Sequence, residues 1–250
     1  MTTREELFER GEAVRAKLGT VVSDDDTAPG YQRMISEAIY GGIWGRPGLA
    51  LADRDICVLA ALALKQCLPQ VRRHTKGALK IGLTPRTIVE VFVHCGLYGG
   101  FPTIENSIAV AHEVFREEGL EVEAEPDTDE SLDELEAQGQ ALLGELHGER
   151  GTQGYASPDN PVTGGLYGMA VQYGYGWLWH RAGLDRRQRM LIALAAFTVL
   201  GLESQLRKFS RSALDVGLSR EEIIEAVMQT APYGGFPGTL NALAALEEVL

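Results

Sequence analysis

The pentapeptide YGGFP occurs twice in this chain, at Tyr98–Pro102 and at Tyr233–Pro237. The two copies stand 135 positions apart, and the same offset aligns long stretches on either side without a gap. YGGIWGRPGL (40–49) lies over YGWLWHRAGL (175–184), and GALKIGLTPRTIVE (77–90) lies over SALDVGLSREEIIE (212–225). Trp44 matches Trp179, Arg46 matches Arg181, Arg72 matches Arg207, Glu90 matches Glu225 and Asn106 matches Asn241. A period this long far exceeds that of solenoid repeats, so each copy is expected to be a complete domain. The N-terminal parts match at another offset, ELFERGEAVRAKLG (6–19) over ELEAQGQALLGELHG (134–148). The second copy therefore carries an insertion around GERGTQGYASPDNPVTGG, a Gly/Pro/Asn-rich segment that reads either as a binding loop over a pocket or as a merely mobile one.

Within each copy apolar residues recur at helical spacing with little strict alternation, which predicts an all-α fold. DRDICVLAALALKQ (53–66) is apolar nearly all round and suits a central buried helix. Pro69 opens the next helix, which Gly82 ends. Thr84 caps a third helix with Pro85 at its first position, Gly99, Gly100 and Pro102 stop it near Leu97, and a fourth runs to about Glu118. In the second copy Ser219 is the equivalent cap, and Pro232 bends the last turn before Tyr233. The domains expected are 1–118 and 133–250, joined by an acidic surface linker at 119–132.

The formal net charge of −12 opposes the positive footprint that a phosphate backbone requires, so nucleic acid is not an expected partner. The charged start MTTREELFERGE and the lack of a run of about 20 apolar residues argue against a signal peptide, a membrane span or a membrane partner, and place the chain in the cytoplasm. Cys57, Cys67 and Cys95 form no CxxC and no zinc spacing, so neither disulfides nor a metal is expected.

ERGEAVRAKLG, YGGIWGRPGL, VRRHTKGAL and GLTPRTIVEVFVHCGLYGGFPTIENS, in this order and spacing, resemble the carboxymuconolactone decarboxylase family over most of residues 5–115. The second copy resembles it more weakly from about Leu135 onward. The resemblance implies two tandem alkylhydroperoxidase D-like helical domains forming an internal pseudo-dimer. It also implies chemistry without a cofactor and assembly into rings, so that three two-domain chains would imitate a hexamer. Members that act as decarboxylases lose a carboxylate from an unsaturated lactone, with electrons flowing to the ring carbonyl. Such a site needs cations for carboxylates, a donor for the developing enolate oxygen and an acid to protonate carbon.

His74 stands where the family motif has its histidine and is the first candidate for the general acid/base; the alternative is a satisfied core histidine. His94 also matches a family position that often carries His. It follows Glu90 by four residues, so the two share a helix face as a carboxylate–imidazole pair or as a polar joint between helices. Arg46 and Arg72 are candidate carboxylate clamps, although their matches in the other copy favour structural jobs. Trp44, Tyr98 and Cys95 complete the candidate substrate-binding set.

Positions where the copies differ are more informative about function than positions they share. His74 faces Phe209, His94 faces Gln229 and Cys95 faces Thr230, while His180, Glu203 and Trp177 are new in the second copy. That copy either completes the first site as a scaffold, the favoured reading, or has an aromatic-lined pocket of its own. The leading functional expectation is a cofactor-independent lyase acting on a small acidic conjugated lactone or keto acid. Alternatives are decarboxylation, isomerisation or ring closure of a polyketide-like intermediate, thiol-dependent peroxide reduction at Cys95, and a non-catalytic helical binding or assembly protein. Leu68-Pro69, where many relatives carry acidic residues, and the fusion itself point away from the usual substrate.

Overall fold

The computed structural model describes residues 2–20, 28–125, 129–153, 157 and 160–250, and among them there are helices and no strands. The first copy comprises α1 (Arg4–Leu18), α2 (Tyr31–Met34) running into a π-helix (Ile35–Trp44), α3 (Leu51–Leu64), α4 (Leu68–Lys80), α5 (Pro85–Gly99) and α6 (Phe101–Glu117). The second repeats this order with α7 (Leu132–His147), α8 (Gly164–Met169) and its π-helix (Ala170–Trp177), α9 (Arg186–Leu200), α10 (Glu203–Asp215), α11 (Arg220–Gln229), α12 (Ala231–Gly234) and α13 (Phe236–Leu246). The expected all-α tandem arrangement is present.

The local signals act as read. Thr84 and Ser219 each accept a hydrogen bond from a backbone N–H in the first turn of α5 and α11. Pro232 does more than bend its helix. Where α5 is continuous to Gly99, the second copy breaks into α11 and α12, because proline has no N–H to donate back and its ring crowds the preceding turn.

Each N-terminal helix crosses its copy's π-helix at backbone contact. A Cβ on Gly11 or Gly41 would overlap the carbonyls of Ser36 or Leu7, and one on Gly139 or Gly176 would overlap those of Val171 or Leu135. The glycines thus set how closely each π-helix is held, and with it the position of the aromatic residues it carries. In α3, Asp53 to Ala63 are buried without interruption, as its all-round apolar pattern predicts. The other face of α3 packs on α9, its counterpart, and a single hydrophobic core runs through both copies. The pair forms an internal pseudo-dimer with α3 and α9 at its centre.

Polar joints cross this interface in pseudo-twofold fashion. Arg46 pairs with Glu225 at 2.7 Å, and Arg181 pairs with Glu90 at 2.7 Å. The linker joins one of them, since Glu125 forms an ion pair with Arg86 and lies 3.6 Å from Arg181. Residues 126–128 of the linker, and 154–156 and 158–159 of the insertion, lie outside the described residues.

Candidate functional site

In the first copy, α3 supplies Asp55 and α4 supplies His74, both buried, with His74 Nδ1 2.7 Å from Asp55 Oδ1. The π-helix supplies Trp44, whose ring stacks on His74 at 5.6 Å, and Tyr40 stacks behind Trp44. Tyr233 arrives from α12 of the second copy. Its ring stands edge-on to His74 at 5.6 Å, and its hydroxyl accepts from Trp44 Nε1 at 2.9 Å. The second copy thus contributes the tyrosine of its YGGFP to this cluster.

Burial pushes the Asp55 carboxyl above its ordinary range, against the pull of His74. Among the described residues neither Asp55 Oδ2 nor His74 Nε2 has a hydrogen-bond partner. A buried carboxyl beside an imidazole, with one further atom open on each, is a pair that can hold a proton on one side and present it on the other.

His94 and Glu90 do not form the pair that their spacing suggested. They share a face of α5, but that face packs against the second copy, where different arginines take them. Glu90 receives a bidentate fork from Arg181 and a further contact from Arg86. His94 Nδ1 lies 3.4 Å from Arg189 Nη1, and its Nε2 lies 3.2 Å from the Tyr98 hydroxyl. Burial, then the adjacent Arg189 charge, hold His94 well below its ordinary pKa. Its counterpart Gln229 accepts from Arg54 at 2.9 Å in the same way, so neutral His94 does the job of an amide oxygen.

The candidate clamps are elsewhere. Arg72 lies at the surface and ties α4 to Glu113 and Glu117 of α6. Arg46 is engaged with Glu225 across the interface. Cys95 is fully buried, and desolvation raises its thiol pKa, which leaves it protonated and a weak nucleophile.

Asp55 was the residue that sequence reasoning missed. The signal was available: at the 135-residue offset Arg54 is kept as Arg189, while Asp55 faces Met190. The second copy has thus lost both members of the buried pair, Asp55 to Met190 and His74 to Phe209.

What it has instead is space. A cavity of about 530 Å³ is lined by Tyr98, Tyr175, Trp179, Phe197, Phe209 and Gln205, with Val162, Thr163 and Leu166 from the end of the insertion. Its walls correspond to the surroundings of His74. Ala170 and Gly174 stand where the first copy has Ile35 and Ile39, which removes two branched side chains from the wall.

The family model described as "Carboxymuconolactone decarboxylase family" matches residues 29–113 and again 165–248. Among similar proteins, the 4-carboxymuconolactone decarboxylase of Acinetobacter baylyi is 31% identical over 90 residues, covering 36% of this chain and 67% of the relative. The nitrosuccinic acid decarboxylase of Metarhizium robertsii is 30% identical over 91 residues, covering 36% and 63%. An uncharacterized 15.0 kDa protein of Paracoccus denitrificans is 38% identical over 77 residues, covering 30% and 58%. A solved structure from Burkholderia xenovorans, described as a gamma-carboxymuconolactone decarboxylase subunit, shares the fold with a TM-score of 0.52 at 22% identity, covering 96% of this chain and 98% of that one.

Proposed function

The chain belongs to the carboxymuconolactone decarboxylase family, and from that premise we propose that it is a cofactor-independent carboxy-lyase working at the Asp55–His74 pair on a small conjugated acid. Two relatives named as decarboxylases support the reaction type. The observation that carries the assignment is the buried 2.7 Å contact between Asp55 and His74, lost in the second copy while the surrounding frame is kept.

In the proposed reaction the bond between the substrate carboxylate and its ring carbon breaks, and carbon dioxide leaves. The electron pair passes through the conjugated system to the carbonyl oxygen, so the substrate is its own electron sink. His74 Nε2 then delivers a proton to carbon, and solvent restores it. Asp55 holds Nδ1–H, which fixes the ring plane and stabilises the imidazolium that carries the proton. Trp44 and Tyr233 pack on the imidazole and limit its rotation. With His74 only 2% exposed, a neighbouring side chain has to shift for substrate to reach Nε2.

The test is ultraviolet-monitored turnover of γ-carboxymuconolactone, generated in situ, by wild type, His74→Gln and Asp55→Asn without metal or thiol. General acid catalysis of this kind contributes about 10²–10⁴-fold, and a loss of that order is expected in His74→Gln. Full activity in folded His74→Gln would remove the assignment.

A further inference from the structure

The cavity of the second copy differs in chemistry from the first site. None of the residues that line it among those described is charged, and most of its surface is aromatic or aliphatic. A carboxylate there would lose its hydration with no cation to replace it. A second opening of about 500 Å³ shares Leu97, Leu166, Ala170 and Gly174 with it and continues past the exposed Phe101, Met169 and Tyr173 to the surface. The cavity is the size of a small-molecule site and has a way in.

One polar group that lines it, the Tyr98 hydroxyl, is hydrogen-bonded to the buried His94. Arg189 Nη1, a donor only, lies 3.4 Å from His94 Nδ1, a contact that favours the tautomer with Nδ1 bare. In that tautomer Nε2 carries the proton of neutral His94 and donates to the Tyr98 oxygen at 3.2 Å. The Tyr98 oxygen then accepts from His94, and its own O–H proton has no acceptor among the described residues.

We propose that the second copy is a binding site for a planar, uncharged, conjugated carbonyl compound, packed against the wall of Trp179, Phe197 and Phe209 with its carbonyl oxygen accepting from Tyr98 O–H. His94 is a positioning residue: by donating to Tyr98 it turns the hydroxyl proton toward the ligand. Aromatic walls reward a flat apolar body, and a hydroxyl proton without an acceptor in the protein rewards a ligand that supplies one. The loss of Asp55 and His74 equivalents and the exchange of Ile35 and Ile39 for Ala170 and Gly174 are then one change, from a proton-handling site to a dry binding site.

The experiment is calorimetric titration with three probes: flavone, 2-phenylnaphthalene, which has nearly the same outline without the carbonyl, and flavone-8-carboxylate. Wild type is expected to bind flavone in the ~100 µM range or tighter and the carboxylate at least tenfold more weakly. Tyr98→Phe is expected to weaken flavone about tenfold, the upper end for one hydrogen bond, and to leave 2-phenylnaphthalene unchanged. Ala170→Ile and Gly174→Ile restore the side chains of the first copy and are expected to abolish binding of both neutral probes, with melting curves showing that they fold. No binding of either neutral probe by wild type, tighter binding of the carboxylate, or flavone affinity that ignores both Tyr98→Phe and the filled-cavity variants would each overturn the proposal. If Tyr98→Phe does not fold, wild type must still prefer flavone to its carboxylate and lose it on filling the cavity. His74→Gln is expected to bind flavone as wild type does, so failure of the lyase assignment leaves this result readable.

Discussion

The Tyr233 hydroxyl accepts a hydrogen bond from Trp44 Nε1 at 2.9 Å across 189 positions of sequence, and the Tyr233 ring stands against His74. Each copy lends the other the tyrosine of its YGGFP, since the Tyr98 ring stands edge-on to Phe197 of the second copy at 4.8 Å. Tyr233→Phe keeps the ring and removes the acceptor. It is expected to cost about 1 kcal/mol in urea unfolding and to lower kcat with little change in KM, because the imidazole plane loosens while binding groups stay.

The second copy suggests a stability experiment on the buried pair. His74→Phe leaves the Asp55 carboxyl buried without a partner and is expected to destabilise by about 3–5 kcal/mol. Adding Asp55→Met reproduces the Met190–Phe209 pair and should recover all but about 1 kcal/mol in denaturant unfolding, while turnover stays absent. A double variant no more stable than His74→Phe would contradict this.

Glu90 is fully buried, and two arginines bond it, Arg181 from the other copy and Arg86 from its own helix. Glu90→Gln removes the charge that both are held against. The expected loss is about 3 kcal/mol, insensitive to added salt because the pairs are shielded from solvent. Arg72→Ala removes surface pairs with Glu113 and Glu117 and is expected to change stability by less than about 1 kcal/mol.

His147, buried beside Ser212 and Tyr175, has its pKa lowered to about 3, first by burial and then by Lys208 and Arg150. Unfolded, it titrates near its ordinary 6.5. Between these values the unfolded chain binds a proton that the folded chain does not. Its contribution is therefore complete above about pH 6.5 and is lost on acidification, by up to ~1.4 kcal/mol per pH unit. His94, also depressed, adds in the same sense, whereas the raised Asp55 acts oppositely above its ordinary 3.8. Stability measured from pH 7 to 4 in wild type and His147→Asn should differ in slope by about one proton, and equal slopes would show that His147 titrates normally in the folded chain.

Thiol counting separates the lyase from a cysteine peroxidase. Cys57 and Cys95 are fully buried, and desolvation raises both thiol pKa values, while Cys67 is partly exposed. One thiol is expected to react with Ellman's reagent in the folded protein and three after denaturation. Turnover should survive Cys95→Ser.

The sequence by itself determined the architecture. Helical periodicity, the Thr84 and Ser219 caps, the glycine stops and the 135-residue repeat are local or self-comparing signals, and each one holds in the fold. It also marked His74 as a residue that the second copy does not keep. Partnerships were another matter. Glu90 and His94 share a helix face, yet the face of the opposite copy supplied Arg181 and Arg189, and those charges separated them. Asp55 lies in a stretch so apolar that it read as core, and only the packing of α4 on α3 brings it to His74. The cavity of the second copy arises from small residues at Ala170 and Gly174 facing aromatic residues distant in sequence. Helix formation depends on neighbours along the chain, whereas the pairing of a buried charge and the space left between side chains depend on which surfaces meet. Only the tertiary structure decides those.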